Sequence, residues 1–248
     1  MDVLIASGGI FFWELYWNIV GGWSLVTQIV LQNILNMDLR SAMALDNSAV
    51  IWSNIGMLLF MFRKYKLHYW FIIYIVFQSI GSVVWAQILV HIDPVLLKII
   101  FIIAVILLVI KNLFVKDKEH NEKWFEVNAK NLIWISLAAT FIGMYNWAFV
   151  IWDWIVAILI LTSLFAMKYQ NAIYLLVVSM FISQPVAAYN YYVNDLLNLQ
   201  FLFPMLLSAI SAGLISAFIL WKIHSTKLKK ILKYLSVFLV IYLVYSIV

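Results

Sequence analysis

Long apolar runs recur along the whole chain, at roughly 4–36, 42–62, 69–90, 95–115, 132–166, 170–193, 199–222 and 231–247, and charged residues gather between them. About 20 apolar residues in helical form span the hydrocarbon of a bilayer, and only helices or closed barrels satisfy the backbone there. The chain therefore reads as an all-α polytopic membrane protein. Composition agrees: 66% of the 248 residues are hydrophobic and 11% are charged, and a soluble core of this length does not call for so much apolar surface. Cysteine is absent, which excludes disulfides, thiol chemistry and cysteine-ligated metals. The net charge of +5 resides in short loops between the runs, which points to membrane topology rather than to nucleic acid.

Six runs have spanning length, whereas the first and the fifth are about half as long again or more. The first carries Gly21-Gly22 near its middle. The fifth carries Gly143, Tyr145-Asn146 and then Trp152-Asp153-Trp154. Each long run is either one tilted helix or two short helices folded into a re-entrant hairpin, whose broken backbone must be buried in protein or line a cavity. The basic residues arbitrate, because short cytoplasmic loops collect Lys and Arg. They form three clusters: Arg63, Lys64 and Lys66; Lys111, Lys116, Lys118, Lys123 and Lys130; and Lys222, Lys227, Lys229, Lys230 and Lys233. Eight simple crossings put the first and third clusters on opposite faces. Two hairpins with no net crossing put all three on the cytoplasmic face, with both chain ends, Arg40 and Asp195 outside.

In that arrangement each half crosses three times, so the second half is inverted relative to the first, a common transporter construction. The expected organisation is a first transmembrane repeat over 1–115, a charged cytoplasmic linker over 116–130 and a second repeat over 131–248. Each repeat is a broken hairpin followed by three transmembrane helices. Internal matches support a duplication: Met37-Asp38-Leu39-Arg40-Ser41-Ala42-Met43 aligns with Met167-Lys168-Tyr169-Gln170-Asn171-Ala172-Ile173, and Ser79-Ile80-Gly81 aligns with Ser211-Ala212-Gly213.

The stretch Gly21-Gly22-Trp23-Ser24-Leu25-Val26, a further apolar run, and then Arg40-Ser41-Ala42-Met43-Ala44-Leu45-Asp46-Asn47-Ser48-Ala49 resembles the first repeat of the sulfite exporter TauE/SafE family. The basic turn Arg63-Lys64-Tyr65-Lys66-Leu67-His68-Tyr69-Trp70 and the segment Gln78-Ser79-Ile80-Gly81 are similar to the family's next loop and third helix. Ile142-Gly143-Met144-Tyr145-Asn146 and Tyr169-Gln170-Asn171-Ala172 echo the pattern in the second repeat. The resemblance implies a transporter of sulfite, a sulfonate such as sulfoacetate, or another small organic anion, with its site between the repeats where the long segments meet the helices that start near Ala42 and Ala172.

Broken helices leave backbone N–H groups unpaired, and these favour anions. The candidate anion-site residues are accordingly Gly21, Gly22, Ser24 and Asn47 in the first half, with Asn146 and Asn171 in the second. Three carboxylates lie inside uncharged apolar runs: Glu14, Asp46 and Asp153. A carboxylate in hydrocarbon usually marks a cavity, a partner or a transport path. Asp46 is the first candidate for a coupling proton, with a hydrogen bond to Gln78 or Asn54 as the structural alternative. Asp153 is a second proton site or a cation ligand, and Glu14 either joins them or pairs with Asn18 one turn on.

These features describe a secondary transporter of a small anion, proton-coupled and multi-pass in the cell membrane. Its partners are the anion, protons and membrane lipid, with a homodimer as an optional assembly and no nucleic acid. The alternative is a non-transporting membrane scaffold or partner subunit derived from a transporter fold. No cofactor or metal site is expected, since His68, His91, His120 and His224 are scattered. An enzyme is not expected either, because no His-Glu-x-x-His motif or clustered Ser/His/Asp set is present.

Overall fold

The computed structural model describes residues 2–20, 29–37, 39–88, 127–148, 153–193 and 197–228, with isolated positions 103, 106, 110, 195, 230, 231 and 234. Described residues form α1 (Asp2–Val20), a π-helical segment (Ile29–Ile34), α2 (Leu39–Met61), α3 (Trp70–Ile88), α4 (Ala129–Ala148), α5 (Asp153–Leu164), α6 (Tyr169–Val193) and α7 (Leu199–Lys222). No strand occurs among them. By length and composition, α7 is the one helix among the described residues that can cross a membrane by itself, which supports a membrane-associated location. Shorter apolar stretches lie at Trp70–Gly81, Ala129–Met144, Trp154–Leu164 and Tyr169–Ile182.

The described residues of each long run form two helical stretches, with the residues between them outside the described set. In the first, α1 ends at Val20 and helical structure resumes at Ile29, so the expected break at Gly21-Gly22 falls outside the described residues. By residue 30 the chain has doubled back. Val30 lies against Gly9, and Leu31 packs in one buried cluster with Ala6 and Ile10 near the start of α1. In the fifth run, α4 ends at Ala148 and α5 begins at Asp153. Gly143 sits within α4, where it serves helix packing rather than the break.

The chain divides into two compact units, and each draws segments from both sides of the 116–130 stretch. The first unit comprises residues 1–67 and 174–222, and the second 68–173 and 223–248.

Within the first unit, α7 packs along both α1 and α2. Ala6 and Ile10 of α1, Ala42, Leu45 and Ala49 of α2, and Met205 and Ala209 of α7 share one buried cluster, so the amino-terminal halves of the three helices lie together. Further along, Asn18 reaches Ser53, and Phe60 meets Phe218 and Trp221. These contacts advance in step, so α1, α2 and α7 run parallel. Helix α6 runs the other way, because Tyr174 stacks on Tyr65 while Gln184 bonds Asn54. The unit thus has Asp2, Arg40 and Asp195 at one end, and Arg63, Lys64, Lys66 and Lys222 at the other.

Both units use one device where two helices cross. In the first, a methyl group added at Gly56 would strike the carbonyl oxygen of Ile210, and one at Gly213 would strike that of Ser53. In the second, Gly81 faces the carbonyl of Thr140, and Gly143 faces that of Gln78. Missing Cβ atoms let backbones touch, and in apolar surroundings such close packing replaces the hydrophobic drive that lipid removes. Capping is local: the Asn128 side-chain oxygen accepts from the Asn131 N–H at 2.8 Å at the start of α4, and that of Asn198 accepts from the Gln200 N–H at 3.1 Å at the start of α7.

A second repeated device ends the helical pieces that precede α2 and α6. Asn36 takes a left-handed conformation with φ of 51°, and the Met37 N–H donates back to the Leu31 carbonyl at 2.9 Å. Ala166 does the same with φ of 52°, and the Met167 N–H donates to the Leu161 carbonyl at 3.2 Å. Left-handed residues of this kind stop helices by satisfying their last carbonyls. They fall at equivalent positions of the Met37 and Met167 segments aligned above.

Candidate functional site

The first unit buries four polar side chains along the seam between α1 and α2. Glu14 and Asn18 are one turn apart on α1, and Asp46 and Ser53 are two turns apart on α2, so each pair shares a helical face. All four are at least 95% buried. The α1 and α2 backbones approach each other less closely than either approaches α7. Side chains therefore bridge the seam: the Asn18 amide donates to the Ser53 hydroxyl at 2.6 Å. Asp46 and Ser53 are the polar neighbours of Glu14. Ser53 lies near the fully buried Glu14 carboxylate, but no donor reaches either of its oxygens with full hydrogen-bond geometry. The unit's described lysines are at its basic end, away from the pair.

Two carboxylates buried in one seam repel in low dielectric, and each loses its hydration. Such a pair is far easier to hold with fewer than two negative charges, which makes it a natural seat for a proton or a cation. Deeper along α2, the Asn54 amide donates to the Gln184 side-chain oxygen at 3.3 Å, where α6 continues through Pro185.

Of the residues singled out in the sequence, Glu14 and Asp46 are both buried in this seam. Gly21, Gly22 and Ser24 lie outside the described residues. Asn47 follows Asp46 on α2, Asn146 lies near the end of α4, and Asp153 opens α5 in the second unit. Asn171 is buried in the first turn of α6, its N–H donating to the Lys168 carbonyl at 3.0 Å. The Asn18 amide bonds Ser53 across the seam, and the Asn54 amide bonds Gln184. Ser53 escaped the sequence reading. Its seven-residue spacing from Asp46, matching the face defined by Glu14 and Asn18, was the available signal.

The second unit has a different polar interior. Ser136 donates to the Leu132 carbonyl, Thr140 to that of Ser136 and Thr162 to that of Ile158, at 2.8, 2.9 and 2.7 Å. Hydroxyls that bond their own helix leave nothing to offer a ligand as donors. The Gln170 amide donates to the Ile223 carbonyl at 2.8 Å, and the Tyr169 N–H to the Ser225 hydroxyl at 3.2 Å. Among the described residues, no group of three or more His, Asp or Glu is placed to hold a metal ion.

Comparison with known proteins gives one positive result: the family model described as sulfite exporter TauE/SafE matches residues 9–243, which takes in nearly all of both units. Searches of curated proteins and of solved structures found no match. With the match extending over this much of an all-α chain, the protein belongs to the sulfite exporter TauE/SafE family, whose members are transporters rather than enzymes, and this supports a secondary anion-transport role.

Proposed function

We propose that the protein is a multi-pass transporter of the cell membrane that moves a small anion, namely sulfite, an organosulfonate such as sulfoacetate, or a short carboxylate, in a proton-coupled cycle. The observation that carries this reading is the buried Glu14–Asp46 seam. A pair that holds a proton tolerates an anion nearby, and a pair that has lost it repels one, so substrate and proton are bound together. Asp46 carries the coupling proton and Glu14 is its partner, with Asp153 as the corresponding candidate in the second repeat. Gly21, Gly22, Ser24 and Asn47 supply anion donors in the first repeat, and Asn146 and Asn171 do so in the second.

The fold behind this reading is a pair of inverted repeats, 1–115 and 131–248, joined by the cytoplasmic 116–130 linker. The paired left-handed caps at Asn36 and Ala166 and the doubling-back of residues 29–34 support it. The test is uptake of labelled sulfite, sulfoacetate and short carboxylates into proteoliposomes under an imposed pH gradient. At least one should accumulate in the wild type. Asp46→Asn should remove dependence on the gradient while preserving folding, since the amide keeps size and hydrogen bonding but not the charge change. Gradient-driven uptake unchanged in Asp46→Asn would remove the assignment of Asp46. No uptake of any of these anions by the wild type would remove the transport reading.

A further inference from the structure

The basic end of the first unit carries a surface that transport does not use. Arg63, Lys64 and Lys66 follow α2, and Lys222 ends α7; all four are exposed. Two of these cations are held against aromatic rings. The Lys64 ammonium lies 4.4 Å from the centre of the Trp221 ring, and the Lys222 ammonium 4.2 Å from that of Phe218. Phe60 contacts both rings edge-on with centroids 6.1 Å apart, so the aromatic surface is continuous from α2 to α7. On the other side of the turn, Tyr65 stacks on Tyr174 at 5.4 Å and Phe62 meets the same ring edge-on. The basic turn is thereby fixed in place rather than loosely tethered.

Among the described residues of this unit, no acid lies at this end. The unit's described acids are Asp2 and Asp195 at the far end, and Glu14 and Asp46 inside the seam. Trp221, Phe218, Phe62 and Leu59 are between 42% and 55% exposed beside the cations. Amphipathic aromatics and basic residues at a helix end mark the level of the headgroups. We propose that this face is a binding site for an anionic glycerophospholipid: Arg63, Lys64, Lys66 and Lys222 surround its phosphodiester, and the aromatic strip from Phe60 to Trp221 receives the first part of its acyl chains. Cation–π contact restrains the lysines before the lipid arrives, so little side-chain freedom is lost on binding.

The full chain, purified in neutral detergent, is offered mixed phosphatidylcholine and phosphatidylglycerol, and the lipid retained through delipidation is measured by mass spectrometry. Phosphatidylglycerol should be enriched and should raise the thermal midpoint, whereas phosphatidylcholine and inorganic phosphate should not. Neutralising Lys64 or Lys222 to Gln should weaken retention by about five-fold each, the scale of one basic residue at an anionic membrane surface. Lys64→Arg should retain the preference. Salt titration of the wild type gives an independent reading, since retention driven by exposed charges falls as ionic strength rises. Equal retention of the two lipids, a preference unaltered in Lys64→Gln/Lys222→Gln, or insensitivity to salt would overturn the proposal. The same stabilisation by inorganic phosphate would replace it with a free-phosphate site.

Discussion

The two units share a way of crossing helices and differ in what they bury. Reciprocal glycines at Gly56 and Gly213, and at Gly81 and Gly143, bring backbones into contact in both. The first unit then buries two carboxylates, an amide and a hydroxyl in one seam. In the second, no buried carboxylate is found among the described residues, and the buried hydroxyls of Ser136 and Thr162 bond their own helices, as Ser48 and Ser216 do in the first. A packing device can therefore be kept while the chemistry beside it changes, because glycine contacts use backbone atoms and place no demand on the side chains facing elsewhere.

The most severe way to break this comparison is to load the crossings. Gly56→Ala and Gly81→Ala each press a methyl group onto a carbonyl and should destabilise by about 3 kcal/mol or more, at the upper end of overpacking costs. Gly8→Ala, in open space on α1, should be neutral or slightly stabilising. Thermal midpoints of the three variants measure this. Equal behaviour of Gly56→Ala and Gly8→Ala would show that the crossing is not needed.

The chemical difference is sharpened by substitutions that keep shape. Glu14→Gln should abolish gradient-driven anion uptake, as expected for Asp46→Asn, whereas Thr162→Val in the second unit should leave it intact. Transport assays on the same proteoliposomes decide this, and full uptake by Glu14→Gln would limit the coupling role to Asp46. A smaller effect is expected from Asn18→Ala, which removes the bond to Ser53 and should cost about 1 kcal/mol in chemical denaturation.

The smallest effects concern the paired caps. Asparagine tolerates a left-handed backbone, whereas alanine in that conformation is strained by about 1 kcal/mol. Ala166→Gly should therefore stabilise by roughly 0.5–1 kcal/mol, and Asn36→Gly by less. A stabilisation of similar size at both sites would mean that the two caps do not differ as their side chains imply.

Much of this was legible in the residues because hydrocarbon is a strict solvent. The apolar runs announced an all-α chain, while the excess length of the first and fifth left one tilted helix and two short pieces both open; in the first, the contacts of Val30 and Leu31 with the start of α1 show the chain doubling back. Glu14 and Asp46 stood out as charges with no local reason to be there. Their burial in one seam is a tertiary fact that depends on the register between α1 and α2, and that register is set by Ala6, Ile10, Ala42 and Ala49, which look unremarkable in sequence. The glycine crossings were hidden for the same reason. Gly143 looked like a place to break a helix, because a glycine that admits a neighbouring backbone and one that admits a turn are the same residue.

The parallel course of α1, α2 and α7 has a consequence for the electrostatics of the first unit. Each helix carries a macrodipole equivalent to about half a positive charge at its amino terminus and half a negative charge at its carboxyl terminus. Three of these point the same way, and α6 opposes them. Asp2, Asp195 and Arg40 lie at the summed positive pole, and Arg63, Lys64, Lys66 and Lys222 at the summed negative pole. Backbone polarity thus favours the four cations at the carboxyl-terminal pole and the two acids at the other, where Arg40 works against it. Exchanging the acidic and basic ends would set both contributions against the fold at once, so the orientation of this unit is written into its peptide groups as well as its lysines.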